Sequence, residues 1–268
     1  MKEFFGFSVD GGGYLRSAEG YMSWQHLVFV TSFVLAMIGL AIFLGLRNRN
    51  KEEKIKNKVL IWSAILINFF EILKIILICI RSHDAMAWTR MLPLFLCSIQ
   101  LLALPIAAFA KGRLKESALD FVFIFGILGA LLGTYGAGQN YNVYPVLSFD
   151  NTVSAITHSI SGFSSLYIAI SGMTSMKPKN IWITFSILLG FCVLAYIANV
   201  TIPYNYMFLM RGDGTPYDII YNMVGGSAVF YPILVVLLFY VYASVFYLVY
   251  FLIRKQKTKT SVQQKKKS

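Results

Sequence analysis

Long apolar stretches alternate with short polar runs along the chain. Windows of about 20 apolar residues, enough helix to cross a ~30 Å hydrocarbon layer, occur seven times. They fall at Gln25–Leu46, Val59–Ile80, Met91–Ala110, Leu119–Tyr135, Thr152–Met173, Ile181–Val200 and Val229–Ile253. The fourth is the shortest and the richest in glycine. The pattern predicts an all-α, polytopic membrane bundle of about seven transmembrane helices. Residues 25–253 form the membrane domain, 1–24 precede it, and 254–268 form a basic tail. The first 24 residues contain no apolar core of a cleavable signal, so the first span itself is expected to direct insertion.

The polar runs set the orientation. Arg47, Arg49, Lys51, Lys54, Lys56 and Lys58 follow the first span; Lys111, Arg113 and Lys115 follow the third; Lys177 and Lys179 follow the fifth. The tail adds Arg254, Lys255, Lys257, Lys259 and Lys265 to Lys267. The alternate loops hold Arg81, Arg90 and Arg211, offset by Asp84, Asp213 and Asp218. Only an odd number of crossings puts every basic loop on one side. The positive-inside rule makes that side the cytoplasm and the N-terminus external. The plasma membrane is the expected location.

Composition agrees with the pattern. Only 13% of the 268 residues are charged and 57% are hydrophobic, whereas a soluble domain carries roughly a quarter charged residues. The apolar excess must face lipid. A net charge of +12 on a soluble face would suggest nucleic acid, but here the charge is confined to loops, so nucleic acid is not an expected partner. Membrane lipids are. The tail is expected to be disordered and to touch anionic headgroups. The three cysteines, Cys79, Cys97 and Cys192, lie within apolar segments without metal or disulfide spacing.

Tyr21, Trp24, Trp88, Tyr141, Tyr144, Tyr204, Tyr206, Tyr217 and Tyr231 gather near the predicted outer ends, as interfacial rings do. Two spans have faces of small residues. The fourth carries Gly126, Gly129, Ala130 and Gly133, including a Gly-x-x-x-Gly pair. The fifth carries Ser154, His158, Ser161, Gly162, Ser165 and Ala169. Such faces let helices approach closely and should point inward.

Ionisable groups at bilayer depth are costly and mark candidate sites. The second span holds Asn68, Glu71 and Lys74, with the last two spaced for an ion pair. The third runs inward from Met91, which places Cys97 roughly 9 Å below its outer end at 1.5 Å per residue. His158 falls at a similar depth in the fifth, with Ser98 and Gln100 close by, and His26 begins the first span at the outer interface. A thiol beside an imidazole suits acyl transfer: the ring takes the proton and the thiolate attacks an ester. Glu71 or Asn68 would orient the ring. The competing readings are a cysteine that only packs, a histidine bonded to a neighbouring helix, and a structural Glu71–Lys74 pair. Cys79 and Cys192 read as packing residues.

Leu92-Pro93-Leu94-Phe95-Leu96-Cys97 resembles the "LPLHLC" signature opening the third helix of YwaF-like bacterial membrane proteins, which are related to the animal transmembrane protein 164 family. Other strings agree in order and spacing: Ser23 with His26, Glu71, the glycine-rich Phe125–Gly133, Thr157-His158-Ser159, and Asn205 to Leu209. Together they cover about residues 23 to 250. The departure is Phe95, where the family usually has histidine. The resemblance implies about seven helices and, from the animal relatives, an acyltransferase acting on phospholipids, with Cys97 as nucleophile and His158 as base. No metal or cofactor is implied.

The leading expectation is therefore a phospholipid-directed acyltransferase or lipid-ester enzyme with its cavity toward the outer leaflet. His26, Asn68, Glu71, Lys74 and Gln100 would support the pair or bind substrate, and Asn205 and Tyr206 would hold a headgroup or supply oxyanion donors. A solute- or headgroup-binding transport protein with Glu71 and Lys74 on its path is the second expectation. A structural membrane protein without chemistry is the third.

Overall fold

The computed structural model describes residues 1–174 and 176–265. The last three residues of the predicted tail, and its side chains beyond Lys255, lie outside that description, and the expected headgroup contacts with them. All regular elements among the described residues are helical, with one isolated bridge between Phe7 and Gly13. Among the described residues six helices are long and apolar enough to cross a membrane. The chain divides into two compact units, Met1–Ser175 and Met176–Ser268, so the boundary falls between the fifth and sixth predicted spans.

The first unit opens with a short helix, α1 (Lys2–Phe5), ended by Gly6 at φ 72°. Spans follow as α2 (Trp24–Asn48), α3 (Glu53–Arg81), α5 (Gly112–Thr134) and α7 (Phe149–Ser171), with short helices α4 (Gln100–Phe109) and α6 (Gly138–Val143) between them. Local chemistry sets the ends. Ser23 and Ser148 cap α2 and α7 by accepting from the His26 and Asn151 amides, and Gly172 ends α7 in the left-handed region. The fourth span, expected at Leu119–Tyr135, begins seven residues earlier as α5, whose first turn reaches α3 where Lys115 meets Glu53 at 3.2 Å.

The third predicted span is not one continuous helix. Of Met91–Ala110 only Gln100–Phe109 is α-helical, after a 3-10 turn at Ala87–Arg90. Ten residues rise about 15 Å, half of the hydrocarbon thickness. Pro93 is one cause, since proline lacks an amide hydrogen and pushes Leu92 out of the helical region. Ser98 is the other. Its hydroxyl accepts from the Phe95 amide at 3.0 Å and donates to the Phe95 carbonyl at 3.1 Å, giving the backbone a local alternative to the helix. The helical half lies antiparallel to the start of α3, where Asn68 Nδ2 donates to the Leu101 carbonyl at 3.0 Å and Asn57 Nδ2 to that of Ala108 at 2.8 Å.

α5 and α7 form the centre of this unit. Their small faces, expected to point inward, meet each other. A methyl on Gly126 would touch the Ser161 carbonyl and Ser165 Cβ at 2.9 Å. Ser161 and Ser165 donate to the Gly126 and Phe123 carbonyls at 3.2 and 2.6 Å. Glycine and serine thus bring the backbones close and tie them by hydrogen bonds. Residues 1–23 cover one end of the helices: Tyr21 donates from its phenol to the Tyr135 carbonyl at 2.6 Å, and Glu19 accepts the Val146 amide at 2.7 Å.

The second unit holds α8 (Ile181–Thr201), α9 (Tyr217–Met223) and α10 (Phe230–Lys265). Tyr247 pins α10 to α8 by donating to Thr184 Oγ1 at 3.1 Å, and Tyr240 by donating to the Phe185 carbonyl at 3.2 Å. An apolar groove of about 490 Å³ lies between these helices, with Cys192 on its wall.

Candidate functional site

The glycines of α5 organise the polar groups of the first unit. Gly129 and Gly133 are four apart and share a helix face. Cys97 lies on the first: a methyl there would be 3.2 Å from Cys97 Cα and 3.3 Å from its Cβ. His158 lies on the second, where any Cβ would overlap the ring at Cδ2 and Nε2. Cys97 and the His158 ring therefore rest on one face of α5, one helical turn apart. Neither position tolerates a side chain larger than hydrogen without movement.

His158 is held in one tautomer. Its Nδ1 lies 2.7 Å from the Ser154 carbonyl, one turn back on α7. A carbonyl only accepts, so Nδ1 carries the proton and Nε2 presents a lone pair. That nitrogen is the one against Gly133. Cys97 sits in the turn that joins the irregular stretch to α4, and both it and His158 keep some accessible surface. Glu71 and Lys74 form an ion pair at 2.5 Å on α3, with side chains only 12% and 19% exposed. Both charges act electrostatically on Cys97 and on His158, so the four groups share one neighbourhood. Gln100 is fully buried, and neither end of its amide has a hydrogen-bond partner.

Other expected site residues are committed elsewhere. His26 is buried with both ring nitrogens engaged: Nδ1 accepts the Met22 amide and Nε2 donates to the Thr134 carbonyl, each at 3.2 Å. Its ring packs on Tyr141 at 4.0 Å. Asn68 spends its amide on the Ala64 and Leu101 carbonyls. Asn205 and Tyr206 belong to the second unit. Asn205 ties the following loop together, donating to the Arg211 carbonyl and to Asp213 and accepting the Met210 amide. Tyr206 is fully buried, its backbone bonded both ways to the Asn199 side chain at 2.6 and 2.9 Å.

One cluster escaped the sequence reading. Arg81 donates from both terminal nitrogens to Asp150, at 2.5 and 2.8 Å, and both side chains are 7% exposed. Tyr14 donates to the same carboxylate. Burial first, and then the Asp150 carboxylate, push the Tyr14 phenol up to about 12, so it remains a donor at physiological pH. The guanidinium lies 5.8 and 5.9 Å from the centres of the Tyr14 and Tyr144 rings, which meet each other edge-on at 5.9 Å. This clasp fastens residues 1–23 to α3 and α7.

A family model described as the TMEM164 family matches residues 21–250. No curated protein and no solved structure matches the chain.

Proposed function

The chain belongs to the TMEM164 family, and on that premise we propose that this multi-pass membrane protein moves fatty acyl chains between phospholipids. Cys97 is the nucleophile and His158 the base. The observation that carries the reading is the shared glycine face of α5, on which Cys97 and the His158 ring rest one turn apart. Nε2 of His158 takes the thiol proton while Nδ1 stays bonded to the Ser154 carbonyl. The sulfur bonds to the ester carbonyl carbon, and the lysolipid oxygen leaves with the proton from Nε2. Attack of a second lysolipid hydroxyl on the thioester returns the thiol. Glu71 and Lys74, on α3, are paired with each other at 2.5 Å.

The finer placement follows the same reading. The segment between Arg81 and Gly112 makes the seventh crossing as a discontinuous one. The basic loops and tail then lie in the cytoplasm, and the site opens toward the outer leaflet of the plasma membrane. Irregular backbone at that depth is tolerated where protein surrounds it or a cavity adjoins it. On the same reading the strings around Cys97 resemble those of the YwaF-like bacterial branch, with Phe95 standing where that branch usually has histidine.

Acyl exchange between labelled phosphatidylcholine and lysolipid, measured with purified protein in liposomes, is the test. Cys97→Ser is expected to reduce turnover by about 10³-fold or more, as loss of a covalent nucleophile does. Turnover equal to wild type ends the proposal. The broken third crossing favours a second reading, a solute path, because interrupted helices at mid-membrane mark transport sites. Under that reading Glu71→Gln abolishes uptake and Cys97→Ser changes little.

A further inference from the structure

We infer that Gln100 binds the carbonyl oxygen of the reacting ester, donating from Nε2 as negative charge develops there; this rests on the acyl-transfer reading. Three observations converge on it. The first is winding. The Ile99 amide bonds to the Phe95 carbonyl at 2.9 Å, the Leu101 amide to that of Ser98 at 3.0 Å and the Ala103 amide to that of Ile99 at 2.9 Å. The helical turn thus begins before Cys97 and runs into α4. Residues three apart on such a turn are neighbours on one face, so the Gln100 side chain rises beside the thiol.

The second observation is burial without partners. The Gln100 side chain is fully buried, yet neither Nε2 nor Oε1 has a hydrogen-bond partner. Asn68, one helix away, shows how an amide at this depth is ordinarily satisfied, with two backbone carbonyls on its nitrogen. A buried primary amide left open is destabilising. An unpaired donor beside a nucleophile is held ready for a ligand acceptor.

The third is the shape of the backbone. The oxygen of an ester attacked by sulfur lies within hydrogen-bond reach of groups flanking that sulfur. The Leu101, Leu102 and Ala103 amides further along the turn are already bonded to the Ser98 and Ile99 carbonyls. The Gln100 side chain adds a donor to those that the backbone nearer the sulfur can offer. A glutamine also stays neutral, so it adds no further charge to a neighbourhood already holding Glu71 and Lys74.

The test compares wild type with Gln100→Met, which keeps the length and removes the amide. Purified proteins in phosphatidylcholine liposomes are quenched at intervals, and the thioester on Cys97 is quantified by mass spectrometry. Wild type forms it; Gln100→Met is expected to form it about 10²–10³-fold more slowly. Alkylation of Cys97 by N-ethylmaleimide should stay near the wild-type rate, since the thiol itself is untouched. The melting temperature should rise by about 2–4 °C, because an unsatisfied amide is gone. A purely structural role would lower it. Thioester formation at the wild-type rate, or a lower melting temperature, overturns the assignment. If wild type forms no thioester, acyl transfer itself is refuted and the role of Gln100 falls with it. Gln100→Leu repeats the comparison should the methionine variant not fold.

Discussion

Replacing Gly133 with alanine is expected to cut acyl transfer by about 10²-fold, the scale of displacing a reacting group by roughly 1 Å. The reasoning is steric. A Cβ at this position overlaps Cδ2 and Nε2 of His158, so the ring must leave its seat. Nδ1 then loses its bond to the Ser154 carbonyl, and Nε2 leaves its place against Gly133. Overpacking of this kind costs about 1–3 kcal/mol. Two companion variants separate geometry from helix propensity. At Gly129 the added methyl meets Cys97 Cα at 3.2 Å, a tight but not overlapping approach, so Gly129→Ala should lose less. Gly39 faces open space, and Gly39→Ala should leave transfer unchanged and stabilise by about 0.5–1 kcal/mol. Thermal melting beside the liposome assay checks all three. Full activity in Gly133→Ala would mean that the His158 ring, packed from α7 against α5, is not the base.

The positions of these glycines were visible in the sequence, but their partners were not. Spacing in the fourth span announced close approach, and helix rise put Cys97 and His158 at a common depth. Neither told which face met which. The spans themselves were legible because apolar windows report burial in lipid directly; α2, α3, α7 and α8 follow the predicted stretches with altered ends. The third was misread because hydropathy does not register how backbone groups are satisfied. Pro93 removes a donor, and the Ser98 hydroxyl serves the Phe95 amide instead of a carbonyl one turn back. His26, Asn68 and Asn205 illustrate another limit of pattern. A polar residue bonded to backbone and one left open look alike in a sequence, and among the expected site residues Gln100 has a buried amide with no hydrogen-bond partner. Arg81 and Asp150 escaped because they stand just beyond the expected ends at Ile80 and Thr152.

That overlooked pair leads to the second large effect. Asp150→Ala is expected to destabilise the protein by about 3–5 kcal/mol, since it leaves a buried guanidinium without its bidentate partner. Each charge also suits its own helix: Asp150 stands in the first turn of α7 and Arg81 in the last turn of α3, where the helix dipoles favour them. Substituting both, as Arg81→Met with Asp150→Leu, should recover most of the loss, because an apolar pair carries no desolvation penalty. The non-additivity between single and double variants is the quantity to measure, by melting each in one detergent. Because the pair is buried, added salt should change it little. A single-variant loss below about 1 kcal/mol would place the pair among weak surface bridges instead. The consequence extends to the site. His158 follows Asp150 by eight residues and Lys74 precedes Arg81 by seven, so the clasp stands about 10–12 Å along the helices from the thiol and imidazole. Residues 1–23, fastened there by Tyr14, cover that end. Their release in Asp150→Ala should appear as faster proteolysis of the N-terminal segment and faster labelling of Cys97 by a charged thiol reagent that lipid excludes. A thiol no more reachable after release would show that the clasp stabilises the fold without shielding the site.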